Sequence, residues 1–203
     1  MSTPMTSPRT YRMTARGEAV AATRRRILGA VQAIAYDELD FEPTLDSIAA
    51  RAGVSVQTVL RHFETREATL AAAVEAATEE IVAERRPPAG DVDAALGTLL
   101  QHYELRGDFV LAMLARERTD PAIAAVADTG KREHRAWVEA VFAHRLPSGA
   151  HRREETVDLL VVATDVFAWK LLRRDRRHSV ATVQHRMRTM TDALLASPRE
   201  GTP

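Results

Sequence analysis

The sequence predicts an all-α protein of two parts. A three-helix unit near the N-terminus is built around a helix-turn-helix, and a larger helical unit follows it. Three observations carry this. Apolar residues recur at helical spacing along nearly the whole chain, and no run alternates as a strand does. The segment from Thr44 to Phe63 holds two short helical patterns separated by Gly53-Val54. Finally, Arg85-Arg86-Pro87-Pro88-Ala89-Gly90 sets two prolines and a glycine between the parts and ends any helix that reaches it.

The chain has 203 residues, 45% hydrophobic and 28% charged, which is enough for one or two buried cores. It has no cysteine, so disulfides, thiol nucleophiles and cysteine-rich zinc sites are excluded. No stretch approaches the ~18 uninterrupted apolar residues of a membrane span. Met1–Arg16 lacks the apolar run of a signal peptide, and the expected location is the cytoplasm. The net charge is zero, but it is unevenly spread. Up to Ala30 the charges are Arg9, Arg12, Arg16, Arg24, Arg25 and Arg26 against Glu18 alone. A phosphate-tracking arm and a solvated tail of an arginine-rich chain both fit that excess.

Taken in order, residues 1–15 carry Pro4, Pro8 and scattered Ser and Thr, and read as a disordered basic arm. A helix is expected over Arg16–Tyr36, with Val20, Ile27, Val31 and Ile34 on one face. The acidic stretch Asp37–Pro43 breaks it. Helices over Thr44–Ala52 and Ser55–His62 come next, and a fourth begins near Thr65, where Thr65-Arg66-Glu67-Ala68 offers an N-cap followed by helix formers. These elements make a first domain of residues 16–86. The second domain, residues 91–197, is expected to hold helices over Asp91–Arg106, Asp108–Arg118, Pro121–Arg145, Arg152–Arg173 and Ser179–Ala196. Gly107, Pro147-Ser148-Gly149 and the charged run Arg173–His178 punctuate them.

Two helices that cross steeply need a small side chain at their contact, and Ala49 supplies it. The turn needs a residue at ease with positive φ, and Gly53 supplies that. Ile48, Val54, Val59 and Phe63 would hold the pair against the first helix, and Ser55 is a good N-cap for the second. The outward side chains are then Val56, Gln57, Thr58, Leu60, Arg61 and His62. A plain αα-hairpin accounts for the alanine and the glycine, but not for this polar cluster at the start of a short helix.

The string Ile27-Leu28, Ile48-Ala49, Ala52-Gly53-Val54-Ser55, Thr58-Val59, Phe63, Arg66-Glu67 and Leu70, within about Arg24 to Ile81, resembles the N-terminal domain of the TetR family of regulators. The resemblance implies a repressor that reads a palindromic operator in double-stranded DNA as a homodimer and is released by a small effector. It places Val56, Gln57 and Arg61 at base edges, and Thr44, Thr58, His62 and Arg66 on phosphates. The family usually carries Tyr where this chain has Leu60, and Lys where it has Arg66. Arg66 keeps the charge, while Leu60 trades a phosphate-binding hydroxyl for an apolar surface suited to a thymine methyl.

Beyond residue 90 the resemblance thins. Val157 to Leu172 is apolar around nearly its whole circumference, so it must be covered on more than one side. Val180, Val183, Met187, Met190 and Leu194 form a seam at spacings of three and four. Both stripes can fill a subunit's own core or meet a second copy. The resemblance implies the latter, with the last two helices pairing across a twofold axis, and a charge at Met187 is then expected to part the dimer. Leu99, His102, Tyr103, Phe109, Met113, Trp137, Phe167 and Trp169 are candidates to line a ligand cavity, although the same set also describes an ordinary helical core.

No enzyme, cofactor or metal is expected. There is no phosphate-cradling glycine loop and no catalytic cysteine, and the seven histidines show no metal-spaced pair. Glu117 and Asp120 are better explained as a solvated helix end than as a catalytic pair. A helical dimeric adaptor, or a small-molecule-binding protein without a DNA role, is the alternative. It explains the seam but leaves the polar cluster on the short helix unexplained.

Overall fold

The computed structural model describes residues 8–86 and 90–196, and all regular structure among them is helical. The helices are α1 (Pro8–Glu38), α2 (Leu45–Ala52), α3 (Val56–Phe63), α4 (Arg66–Glu84), α5 (Val92–Leu114), α6 (Pro121–Phe142), α7 (Ala150–Thr164), α8 (Val166–Trp169) and α9 (Val180–Ala196). The chain divides into two compact units, Met1–Ala77 and Thr78–Pro203. The division falls inside α4, upstream of the Pro87-Pro88 boundary expected from the sequence; those two prolines lie outside the described residues.

In the first unit, α1 starts at Pro8, inside the leader read as unstructured. Proline is tolerated in a first helical turn because its missing N–H has no intrahelical acceptor there, and Arg, Met and Ala propagate the helix after it. Residues 1–7 lie outside the described residues, as do the side chains of Arg9, Arg12 and Arg16. Ile27, Leu28, Ala30, Val31 and Ile34 of α1 pack with Ile48, Ala49 and Ala52 of α2, Val59 and Phe63 of α3, and Ala73 of α4. Val20, expected on that face, is 52% exposed and takes no part in this core.

The second unit is one core drawn from α5, α6, α7, α8 and α9. Two expectations need correction here. Gly107 does not end a helix, because α5 runs unbroken from Val92 to Leu114. A Cβ at Gly107 would lie 2.5 Å from Cη2 and Cζ3 of Trp169, so glycine is there to admit the indole. Conversely, the single helix expected over Arg152–Arg173 is broken at Asp165. The Thr164 hydroxyl donates back to the Leu160 carbonyl at 2.8 Å, and the Asp165 side chain caps α8 by accepting from the Phe167 N–H at 2.8 Å. Beyond Trp169 the chain widens into a π-helical turn over Lys170–Asp175.

Gly107→Ala therefore reverses the usual sign of a helical Gly→Ala change. We expect a net loss of about 1–3 kcal/mol from overpacking against Trp169. At Gly130, an exposed position on α6 with nothing within 4 Å of its Cβ position, the same change is expected to add up to about 1 kcal/mol. Urea unfolding of the two variants checks both, and a stabilised Gly107→Ala protein would refute the packing argument.

The seam also divides. Val183 and Met187 are fully buried in the unit's own core, while Val180 and Met190 are exposed. A charge at Met187 is therefore an attack on the subunit's own core.

Candidate nucleic-acid interface and buried polar site

Local rules build the α2–α3 pair. The Thr44 hydroxyl accepts from the Ser47 N–H at 3.1 Å, and the Ser55 hydroxyl accepts from the Thr58 N–H at 3.2 Å, so each helix has a side-chain N-cap. Gly53 sits at φ 65°, and the Val54 N–H reaches back to the Ala49 carbonyl at 3.0 Å. This is a Schellman closure, which needs a left-handed residue at that point. The Gly53 N–H also donates to the Ala50 carbonyl at 3.2 Å, the second bond of the motif.

α3 then has two faces. Val59 and Phe63 are buried, Gln57 and Arg61 are exposed, and Val56, Thr58, Leu60 and His62 are half-buried between them. Gln57 and Arg61 stand four residues apart, one above the other on the open face. Thr44 is exposed at the N-terminus of α2. The Thr58 hydroxyl lies 3.0 Å from that of Ser55. Arg66 is partly committed, its Nε donating to the Pro43 carbonyl at 2.9 Å. On α1, Arg24 lies over the Phe63 ring at 5.0 Å, and Arg25 and Arg26 are exposed.

Among the eight candidate lining residues, Leu99, Tyr103, Trp137 and Trp169 belong to the core cluster of the second unit. His102 and Met113 are buried too, Phe109 is half-buried, and Phe167 is 57% exposed. Trp137 lines a groove of about 200 Å³ together with Ile81, Val82, Ala136 and Ala140, and with Arg85, Arg86 and Glu133.

Beneath that groove lies a buried polar chain that sequence reasoning did not assemble. Arg85 Nη2 donates to His134 Nδ1 at 2.9 Å, which leaves the imidazole proton on Nε2, 3.1 Å from the Thr164 hydroxyl. Tyr103 donates its hydroxyl to the Thr164 carbonyl at 2.9 Å, and Trp137 Nε1 donates to the Arg85 carbonyl at 3.0 Å. Arg106 is also buried and holds Glu84 in a fork at 2.8 and 3.3 Å. Burial, and then the Arg85 charge, push the His134 pKa down to about 4. Burial, with Arg85, Arg106 and His134, pushes His102 down to about 3. Burial also raises the Tyr103 phenol above its ordinary value. Both histidines are therefore neutral near pH 7.

Arg85 read as part of a surface boundary because it stands next to Arg86-Pro87-Pro88, and His134 read as indifferent. Nothing within a few residues of either position signals its burial. Among the described residues no cluster of three or more histidine, aspartate or glutamate side chains is placed to hold a metal. No helix among the described residues is long and apolar enough to cross a membrane.

The fold is one found in transcriptional regulators. A protein designated a transcriptional regulator of Pseudomonas aeruginosa PAO1 matches 85% of this chain over 90% of its own, with TM-score 0.63 and 18% identity. A transcriptional regulator of Rhodococcus sp. Rha1 matches 85% of this chain over 95% of its own, with TM-score 0.64 and 22% identity. At these identities the likeness is one of fold. No family model and no curated protein matches the chain.

Proposed function

We propose that the chain is a transcriptional repressor of the TetR type, which reads a palindromic operator as a homodimer and is released by a small effector. The observation that carries this reading is α3. It is an eight-residue helix capped at both ends, with its inner face in the core and Gln57 and Arg61 side by side on its outer face. Those two side chains suit adenine and guanine edges in a major groove, and the exposed N-terminus of α2 at Thr44 suits a phosphate. The likeness in fold to two transcriptional regulators supports the same reading.

A dimer face is supported by apolar side chains that the second unit leaves uncovered. Leu159 and Val162 on α7, Phe167 on α8 and Leu171 on the π-helical turn are all exposed, Val162 by 67%.

Selection of bound duplexes from a randomised pool tests the DNA role. A twofold motif with half-sites about one helical turn (~10 base pairs) apart is expected. Recovery of unrelated duplexes, with binding that depends on salt alone, would favour the adaptor. For the dimer, sedimentation equilibrium is expected to show two copies together at micromolar concentration. Phe167→Glu with Leu171→Glu should yield folded monomers, because both side chains are exposed in the single chain. Met187→Asp should instead unfold the subunit by burying a charge.

A further inference from the structure

Arg85 carries a positive charge into the interior, and among the described residues no carboxylate is in salt-bridge contact with it. The residue is only 9% exposed. Its bonds are accounted for: Nη2 meets His134 at 2.9 Å, the guanidinium lies 5.2 Å from the centre of the Trp137 ring, and Nε has no partner. The buried cation beside it, Arg106, already takes both oxygens of Glu84. Glu133, exposed at the same groove, attracts Arg85 without forming a salt bridge, and burial outweighs that attraction. An unpaired buried charge is expensive, and an arginine cannot escape that cost by shedding its proton.

We propose that the groove lined by Ile81, Val82, Ala136, Trp137 and Ala140 takes a small monocarboxylate whose apolar body is about the size of one aromatic ring, its carboxylate pairing with Arg85. This assignment rests on the effector reading above and names the chemical class of the effector.

The charge argument selects a monoanion. Arg106 is balanced by Glu84, both buried histidines are neutral, and the groove itself sets Arg85 and Arg86 against Glu133, so one positive charge remains to be met. A cation would face Arg85 and Arg86, and a neutral ligand would leave the guanidinium as it is. Size selects the body. The groove offers about 200 Å³, and a cavity of ~150 Å³ is enough for benzene. Its apolar walls are the Trp137 indole and short aliphatic side chains, and its charged lining is Arg85, Arg86 and Glu133, so the cations can meet a carboxylate while the apolar walls take the body.

The test is titration calorimetry of the full-length protein with phenylacetate and its neutral isostere phenylacetamide. Phenylacetate is expected to bind once per subunit, at least about tenfold more tightly than the amide. Arg85→Met should remove that preference. Ala136→Leu should abolish binding of both ligands while leaving the thermal transition in place. It fills the groove from an exposed helical position and leaves the guanidinium untouched, so the assignment stays testable if Arg85→Met does not fold. No binding of phenylacetate overturns the proposal, as does equal affinity for acid and amide, or unchanged affinity in Ala136→Leu. Operator binding measured in the same samples separates the two levels. Phenylacetate bound at Arg85 without any change in DNA affinity keeps the site and removes its effector role. Sequence-independent DNA binding counts against the regulator reading and leaves the calorimetric result standing.

Discussion

Lowering the pH from 6.5 to 5 should destabilise the second unit by about 2 kcal/mol for each of His102 and His134. Their folded-state pKa values are depressed, to about 3 and about 4, by burial and by the neighbouring arginine charge. The unfolded chain, with ordinary imidazoles, then binds more protons than the folded chain throughout that interval. Stability must rise with pH there, and it is lost as pH falls below the unfolded value of about 6.5. The geometry supplies the reason for His134. Its Nδ1 accepts from Arg85, so a second ring proton would set donor against donor. Urea unfolding at half-unit pH steps measures the slope. His134→Gln should be less stable at neutral pH, because it disturbs the bond to Arg85, yet its slope between pH 6.5 and 5 should be flatter. The window excludes most carboxylate titration, and Asp165, whose carboxyl burial raises, works in the opposite direction at the acid end. A wild-type slope no steeper than that of His134→Gln would show that the imidazole does not stay neutral in the fold.

Arg61→Ala and Gln57→Ala should each weaken operator binding by about 1–3 kcal/mol per half-site, or about 2–6 kcal/mol for a dimer engaging both. Each should also relax selectivity at one base pair per half-site. Both side chains are exposed and make no core contact, so thermal stability should stay within about 0.5 kcal/mol of wild type. Removing residues 1–15 is expected to behave differently. It takes away Arg9 and Arg12 and should weaken operator and scrambled DNA alike, while flattening the salt dependence because fewer counterions are released. The measurement is a salt titration on both duplexes for the four proteins. If the truncated protein loses discrimination and both α3 variants keep it, the reading head has been placed on the wrong segment.

Buried Arg85 and exposed Phe167 mark the limit of what can be read along the chain. Arginine beside two prolines has the pattern of a solvated turn, yet its partners, His134 and Trp137, stand 49 and 52 residues away. Phenylalanine in an apolar run has the pattern of core, yet the break at Asp165 turns it outward. That break itself depends on the Thr164 hydroxyl choosing the Leu160 carbonyl, and on Tyr103 reaching the Thr164 carbonyl from another helix.

The sequence by itself determined the all-helical class, the two caps at Thr44 and Ser55, the left-handed turn at Gly53 and the two-faced character of α3. Each rests on hydrogen bonds and steric limits that act within about four residues, so identity and spacing are enough to settle them. Only the tertiary structure decided that Gly107 continues a helix, that Val183 and Met187 belong to the subunit's own core, that a buried arginine lines a groove, and that two buried histidines stay neutral. Those outcomes depend on which distant surfaces exclude water from a side chain. Burial of that kind is a property of packing, which no local pattern encodes.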